Sequence, residues 1–161
     1  MTGPQRADDG VQFRLSCAAD RDALHGIWDR AVRATHGFLS PAHHAEISRM
    51  LHRDYLGRAE LLVAVRAIAA REVLLGFMGM TGRHIDALFI DPAASGCGLG
   101  RRFVAQARRR GVPLTVDVNE QNTGALGFYL HLGFVRVGRS PCDGDGRPYP
   151  ILHLREPPGS R

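Results

Sequence analysis

The sequence predicts an α+β fold: a single domain on a mixed, mostly antiparallel sheet of about six to seven strands, with about four helices. Three observations carry this. The elements read β-α-α-β-β-β-α-β-α-β-β, with a strand meander in the middle and two strands at the end. The length, 161 residues, suits one hydrophobic core that needs no covalent staples. No repeat, low-complexity block or linker divides the chain.

Each element has its own signal. "VQFRLSCA" (11–18) alternates as a first strand does. "DRDALHGIWDRAVRATHGFL" follows as a helix, with Asp20 as N-cap and Leu24, Ile27, Trp28 and Ala31 on one face, so Trp28 reads as core. In "SPAHHAEISRMLHRDYL" Ser40 caps a second helix and Pro41 occupies its first turn. "ELLVAVRA" (60–67) and "VLLGFMGMTG" (73–82) form a hairpin, and "HIDALFIDP" (84–92) adds a third strand to it. Residues 98–111 form a helix ended by Gly111, with Arg108, Arg109 and Arg110 where the helix dipole favours cations. "PLTVDVNE" is a strand, "NTGALGFYLHLG" a helix, and "FVRVGRS" and "YPILHLRE" close the sheet around the turn-rich "PCDGDGRPYP". Residues 1–10 and 157–161 read as tails around a domain at 11–156.

Composition narrows the functions. Apolar residues make up 44% of the chain, and no run approaches the roughly 20 residues of a membrane span. The N-terminus lacks the apolar segment of a secretory signal. Cys17, Cys97 and Cys142 are odd in number and widely spaced, which favours a reducing, cytoplasmic setting over a disulfide frame or zinc site. HExxH is absent and His43 and His44 are adjacent, so no metal is expected. The net charge is +5, and all 21 basic residues are arginine. A phosphate loop of the Walker A type is thereby excluded, since its lysine is missing. The charge is spread along the chain without an aromatic platform, which argues against a nucleic-acid partner.

"DPAASGCGLGRRF" (91–103) places Gly96, Gly98 and Gly100 between a strand and a helix. Helix N-termini leave N–H groups unpaired, and a turn without side chains lets an anion reach them. A pyrophosphate cradle and a ligand-free tight turn both fit. A dinucleotide site also competes, with Asp117 near the place of the ribose-binding acid. Against it, Arg101 stands where the third glycine belongs, and the loop follows a meander rather than opening a parallel half-sheet.

Beyond that loop comes "NTGALGFYLHLGF" (122–134), which reads N-x-x-A-x-x-x-Y-x-x-x-G-F from Asn122 through Ala125 and Tyr129 to Phe134. Together with "SGCGLG" it resembles the paired signature of the GNAT N-acetyltransferase superfamily, over residues 11–156. "RATHGFLSP", "GRHIDALFIDP", "VNEQN" and "RPYPILHL" further resemble small bacterial GNAT proteins.

The resemblance implies a V-shaped splay between the two central parallel strands, here 84–91 and 113–119, with acetyl-CoA as co-substrate between them. Backbone groups near Leu88, Phe89 and Ile90 would pair with the pantetheine arm. Main-chain N–H groups from Ser95, Gly96, Cys97, Gly98, Leu99, Gly100 and Arg101 would hold the pyrophosphate, and Asn122 would help fix the pantetheine. Ser95 stands where the family usually has glutamine or arginine; it still offers a hydroxyl and an N–H but no guanidinium, with Arg101 and Arg102 as partial compensation. Tyr129 would protonate the leaving thiolate. The amine would attack the acetyl carbonyl directly, with Asp117, His84 and Asp86 as rival bases; strand alternation puts His84 with Asp86, and Thr115 with Asp117 and Asn119. His36, Phe38 and Asn119 are candidate acceptor contacts, and Tyr149 lies near the acceptor site or a dimer contact. A covalent role for Cys97 is the rival chemistry. The expectation is acetyl transfer to a primary amine of a small molecule or peptide, in a monomer or homodimer. The alternative is a module that binds acetyl-CoA without turnover. With no lysine in the chain, self-acetylation on nitrogen is confined to the N-terminus.

Overall fold

A computed structural model describes residues 9–159. Seven strands form one sheet in the order β1-β2-β3-β4-β5-β7-β6. They are β1 (Val11–Leu15), β2 (Leu62–Ile68), β3 (Arg71–Thr81), β4 (His84–Ile90), β5 (Thr115–Asn119), β6 (Val135–Ser140) and β7 (Ile151–Arg155). The helices are α1 (Arg21–Thr35), α2 (Pro41–Met50), α3 (Leu99–Arg108) and α4 (Thr123–His131). Among the described residues the β4–β5 pair is parallel and every other ladder is antiparallel.

The sheet is covered differently on its two faces. On one, α3 and α4 bury Leu99, Phe103, Val104 and Tyr129 against Ile85, Val116, Val118, Leu152 and Leu154. On the other, Leu24, Ile27, Trp28 and Val32 of α1 pack on Val63, Val65 and Phe77, joined by Ala87 and Phe89. Trp28 is core, as its helical spacing predicts. Period-2 alternation accounts for the division: Val116 and Val118 enter the first core, so Thr115, Asp117 and Asn119 face the other way.

Most helix signals act as expected. Ser40 Oγ accepts from the His43 N–H at 3.1 Å, and Pro41 opens α2. Asp20 differs. Its carboxylate makes no cap bond to α1; Oδ2 accepts from the Cys17 N–H at 2.8 Å, and Arg14 donates to both oxygens. The guanidinium holds the Asp20 carboxyl below the usual carboxylate range, and this ion pair outcompetes the single cap bond that residue type alone suggested. The first helix also stops at Thr35, short of the predicted Leu39, and α3 stops at Arg108. The arginines that end α3 act as struts: Arg108 bridges to buried Glu156 at 2.7 Å and to the Leu132 carbonyl at 2.8 Å, and Arg110 donates to the Gly82 carbonyl at 2.7 Å. Asp9, within the expected N-terminal tail, accepts from the Val11 N–H and from Arg102. The rest of both tails lies mostly outside the described residues.

The β2–β3 turn is strained. Ile68 pairs with Arg71, so only Ala69 and Ala70 make the turn, with φ of 49° and 61°. Such hairpins need positive φ at both positions, which asparagine and glycine tolerate and alanine does not. Replacing Ala69→Asn and Ala70→Gly together should raise stability by about 1 kcal/mol, net of the freedom that glycine adds to the unfolded chain. The shift in urea midpoint at unchanged slope measures it.

Candidate active site

The site begins with a backbone defect. β4 and β5 share two partner pairs, His84 with Thr115 and Ile85 with Val116, and no further pair follows. Beyond them the strands diverge. A bulge sharpens the divergence: Met80 pairs with Ile85 and Gly79 with Ala87, which leaves Asp86 as the extra residue of β4. Leu88 and Ile90 then turn to the α3 and α4 core, while Ala87 and Phe89 face α1.

A cleft of about 380 Å³ fills one side of the splay. Leu88 and Ile90 form its strand wall, Ser95, Gly96, Gly98, Leu99, Gly100 and Arg101 its loop wall, and Ala125, Phe128 and Tyr129 its floor on α4. Gly96 and Gly98 have φ of +80° and +77°, which L side chains rarely adopt, and a Cβ on either would meet nothing within 4 Å. The turn therefore selects glycine for conformation and leaves its outer side bare. Gly100 serves another end, because a Cβ there would press on the Phe128 ring at 3.1 Å.

Some expected contributors to this wall are committed elsewhere. Ser95 donates its hydroxyl to the Pro92 carbonyl at 2.8 Å and its N–H to the same oxygen at 3.3 Å, so neither donor is free for a phosphate. Cys97 donates to the Ala94 carbonyl at 2.9 Å, and it lines a neighbouring cavity rather than the cleft. That leaves the sulfur poorly placed for a covalent role. Arg102 is held by Asp9 and lies over Phe13, whereas Arg101 faces the cleft.

A second cavity, about 210 Å³, continues through the splay. Its walls include His36, Asp86, Ala87, Phe89, Asp117, Asn119 and Asn122, and it shares Leu88, Ala125 and Tyr129 with the cleft. Asn122 Oδ1 accepts from the Ala125 N–H at 3.1 Å and so caps α4. Tyr129 is nearly buried, with ring contacts to Phe128 and Phe134, and burial pushes its phenol well above the usual tyrosine range. It therefore stays protonated at neutral pH.

The three rival bases sit differently. Asp86 Oδ2 accepts from the Thr81 hydroxyl at 2.6 Å. Near it lies Tyr55, whose phenol is pushed up to about 12 by burial and by Asp86, and whose hydroxyl occupies the space that a side chain on Gly79 would need. His84 Nδ1 is 2.8 Å from Thr115 Oγ1, and its Nε2 is 3.8 Å from Asp117 Oδ2. Asp117 also meets a residue that sequence reasoning missed: His153 Nδ1 lies 2.6 Å from its Oδ1. His153 lies within "RPYPILHL", but nothing in that stretch assigns it a role; the β5–β7 register brings it to Asp117.

Of the loop after α1 only His36 lines the second cavity; Phe38 lines neither cavity. The His36 and Phe38 rings meet at a tilt, 5.2 Å between centroids, and Phe38 meets Tyr149 in the same way at 5.8 Å. Tyr149 is buried; its hydroxyl accepts from the Ser40 N–H at 3.1 Å and meets His43 Nδ1 at 2.5 Å. Arg147, also unforeseen, is buried and pairs with Glu46, Asp143 and Asp145, docking the β6–β7 loop on α2. Among the described residues no group of three or more His, Cys, Asp or Glu is arranged to hold a metal, and no helix is long and apolar enough to cross a membrane.

A model of the acetyltransferase (GNAT) domain matches residues 29–149. The chain belongs to the GNAT superfamily. Peptidyl-lysine N-acetyltransferase YjaB of Salmonella typhimurium is 45% identical over 147 residues, covering 91% of this chain and 99% of that relative. The solution structure of apo-form YjaB from Escherichia coli superposes with a TM-score of 0.82 at 44% identity, over 90% of this chain and 96% of that one. The fold extends to PaiA N-acetyltransferase from Thermoplasma acidophilum, crystallised with coenzyme A, at a TM-score of 0.70 and 16% identity over 91% and 98% of the two chains. The protein is accordingly an acyltransferase, an N-acetyltransferase that uses acetyl-CoA. In this GNAT chain the α+β sheet, the splay and the four helices are those that the motifs implied.

One wall residue has a pH signature. Burial pushes the His36 imidazole below its ordinary value of 6.5. A depressed folded-state value means that protonation favours the unfolded chain. The contribution of His36 to stability is then full above about 6.5 and lost as pH falls through the lower folded value. Ring titration of His36 by NMR should give a midpoint below that of free imidazole, and His36→Gln should flatten the loss of stability over that window.

Proposed function

We propose that the protein transfers the acetyl group of acetyl-CoA directly to the ε-amino group of a lysine in a peptide or protein. One observation carries the reading: two adjoining cavities meet at the splay, where Leu88, Ala125 and Tyr129 belong to both. A thioester in the first cavity would present its carbonyl to an amine in the second. The lysine assignment draws on the relatives, which are named peptidyl-lysine N-acetyltransferases. Asp86 and Asp117 line the cavity that an ammonium would enter.

In this account the bare turn at Gly96 and Gly98 and the N-terminus of α3 receive the pyrophosphate, aided by Arg101. Backbone groups of Leu88 and Ile90, with Phe89 between them turned to β3, take the pantetheine as β5 would if the two strands stayed paired. Asn122, whose oxygen caps α4, retains its amide hydrogens for the same arm. His36, Phe38 and Asn119 position the acceptor. Asp117 Oδ2 takes one proton from the ammonium and the nitrogen lone pair attacks the carbonyl; as the tetrahedral intermediate collapses the C–S bond breaks, Tyr129 gives its proton to the departing sulfur, and the second proton of the acetylated nitrogen passes to the Tyr129 phenolate. His84 and Asp86 lend charge and orientation.

The assay is thiol release from acetyl-CoA with a lysine amide blocked at its α-amine. Tyr129→Phe should keep coenzyme A binding by calorimetry and lose at least about tenfold in kcat; unchanged turnover would remove Tyr129 as the acid. Gly98→Ala should act the other way. Forcing a Cβ into its left-handed turn should weaken coenzyme A binding about tenfold, equivalent to roughly 1.4 kcal/mol.

A further inference from the structure

Asp117 is embedded in a chain of side chains that crosses four strands. Its Oδ1 lies 2.6 Å from His153 Nδ1 on β7, its direct register partner. His153 Nε2 lies 2.7 Å from Ser140 Oγ on β6. Gly138, paired with His153 across β6, leaves room for the imidazole: a Cβ there would meet the ring at 3.4 Å. On the far side, His84 Nε2 stands 3.8 Å from Asp117 Oδ2, with Thr115 holding its Nδ1 at 2.8 Å.

The chemistry of the donors fixes the direction of this chain. An ionised carboxylate only accepts, so Nδ1 of His153 carries the proton. In the neutral imidazole Nε2 is then the acceptor and the Ser140 hydroxyl the donor. Each bond determines the next, and the carboxylate can neither rotate freely nor offer Oδ1. His153 and Ser140 line neither of the two cavities, so they reach the reaction only through Asp117.

We infer that His153 and Ser140 are positioning residues for acetyl transfer, holding Asp117 so that Oδ2 alone accepts the proton of the incoming ammonium. This rests on Asp117 being the base. The balance is simple. One N–H bond of the ammonium breaks and an O–H bond forms at Oδ2, with the electron pair left on nitrogen. The bond from Nδ1–H to Oδ1 persists throughout, and the proton on Oδ2 later passes to solvent. A carboxylate free to turn would meet the ammonium in fewer productive orientations, and such losses of alignment reduce rate more than binding.

The test compares two amines. The blocked lysine amide is protonated at neutral pH and needs a base, whereas methoxyamine is already neutral and does not. His153→Ala should lower the ratio of kcat on the lysine amide to kcat on methoxyamine by about 10²-fold, the low end of general-base contributions. The KM for the lysine amide should change little, and added imidazole should restore part of the ratio. Ser140→Ala should lower the ratio in the same sense by less, and coenzyme A binding reports that each variant is folded. An unchanged ratio in His153→Ala, while Asp117→Asn lowers it, would overturn the inference alone. An unchanged ratio in Asp117→Asn would remove the base assignment and the inference with it. A wild-type enzyme that acetylates methoxyamine and benzylamine but not the lysine amide would refute the lysine acceptor instead, and the variants are then compared on benzylamine.

Discussion

The structure depends on a ladder that stops after two pairs. Parallel strands in the middle of a sheet normally satisfy each other's N–H and C=O groups along their length, and unpaired backbone groups in a core are costly. Here β4 and β5 part after Ile85 and Val116. The diverging edges and the cavities between them form one feature. In the proposed reading a substrate arm that carries its own amides pairs with these edges, and the bare turn after β4 receives the phosphates at its end. The bulge at Asp86 serves the same geometry, because it re-aims β4 where it leaves β5.

The two faces of the sheet divide the work. The face under α3 and α4 is apolar to the edge of the cleft and ends in Tyr129, whose buried phenol holds its proton. The opposite face carries Asp86, Asp117, His84 and His153, and His36 lines the same cavity as Asp86 and Asp117. The β6–β7 loop is anchored twice, by Tyr149 on the start of α2 and by Arg147 on Glu46. In the proposed reaction the acid and the base stand on different faces of one sheet, so neither has to move through the other's environment.

What the sequence made legible was local. The glycine turn and the Asn122-to-Tyr129 spacing each span only a few residues, so short-range geometry dictates them, and the strand and helix order follows from periodicity. The misses share a different cause. His153 meets Asp117 across 36 residues of chain, through a register that no motif encodes. Arg147 is buried by partners on another helix, although a lone charged residue in a polar loop reads as solvent-exposed. Asp20 has the residue type of a cap, yet Arg14 claims its carboxylate from a neighbouring strand. Ser95 has the donors expected of it, but the turn itself uses both. In each case a long-range or competing partner decides, and composition cannot announce it.

Amide hydrogen exchange with and without acetyl-CoA tests the central claim most directly, because it reads the backbone groups themselves. New protection is expected at Leu88 and Ile90, whose N–H groups face away from β3 into the splay, and at the amides from Gly96 to Arg101, with little change on β1 and β2. Exchange at those amides that stays the same under saturating acetyl-CoA would contradict that claim.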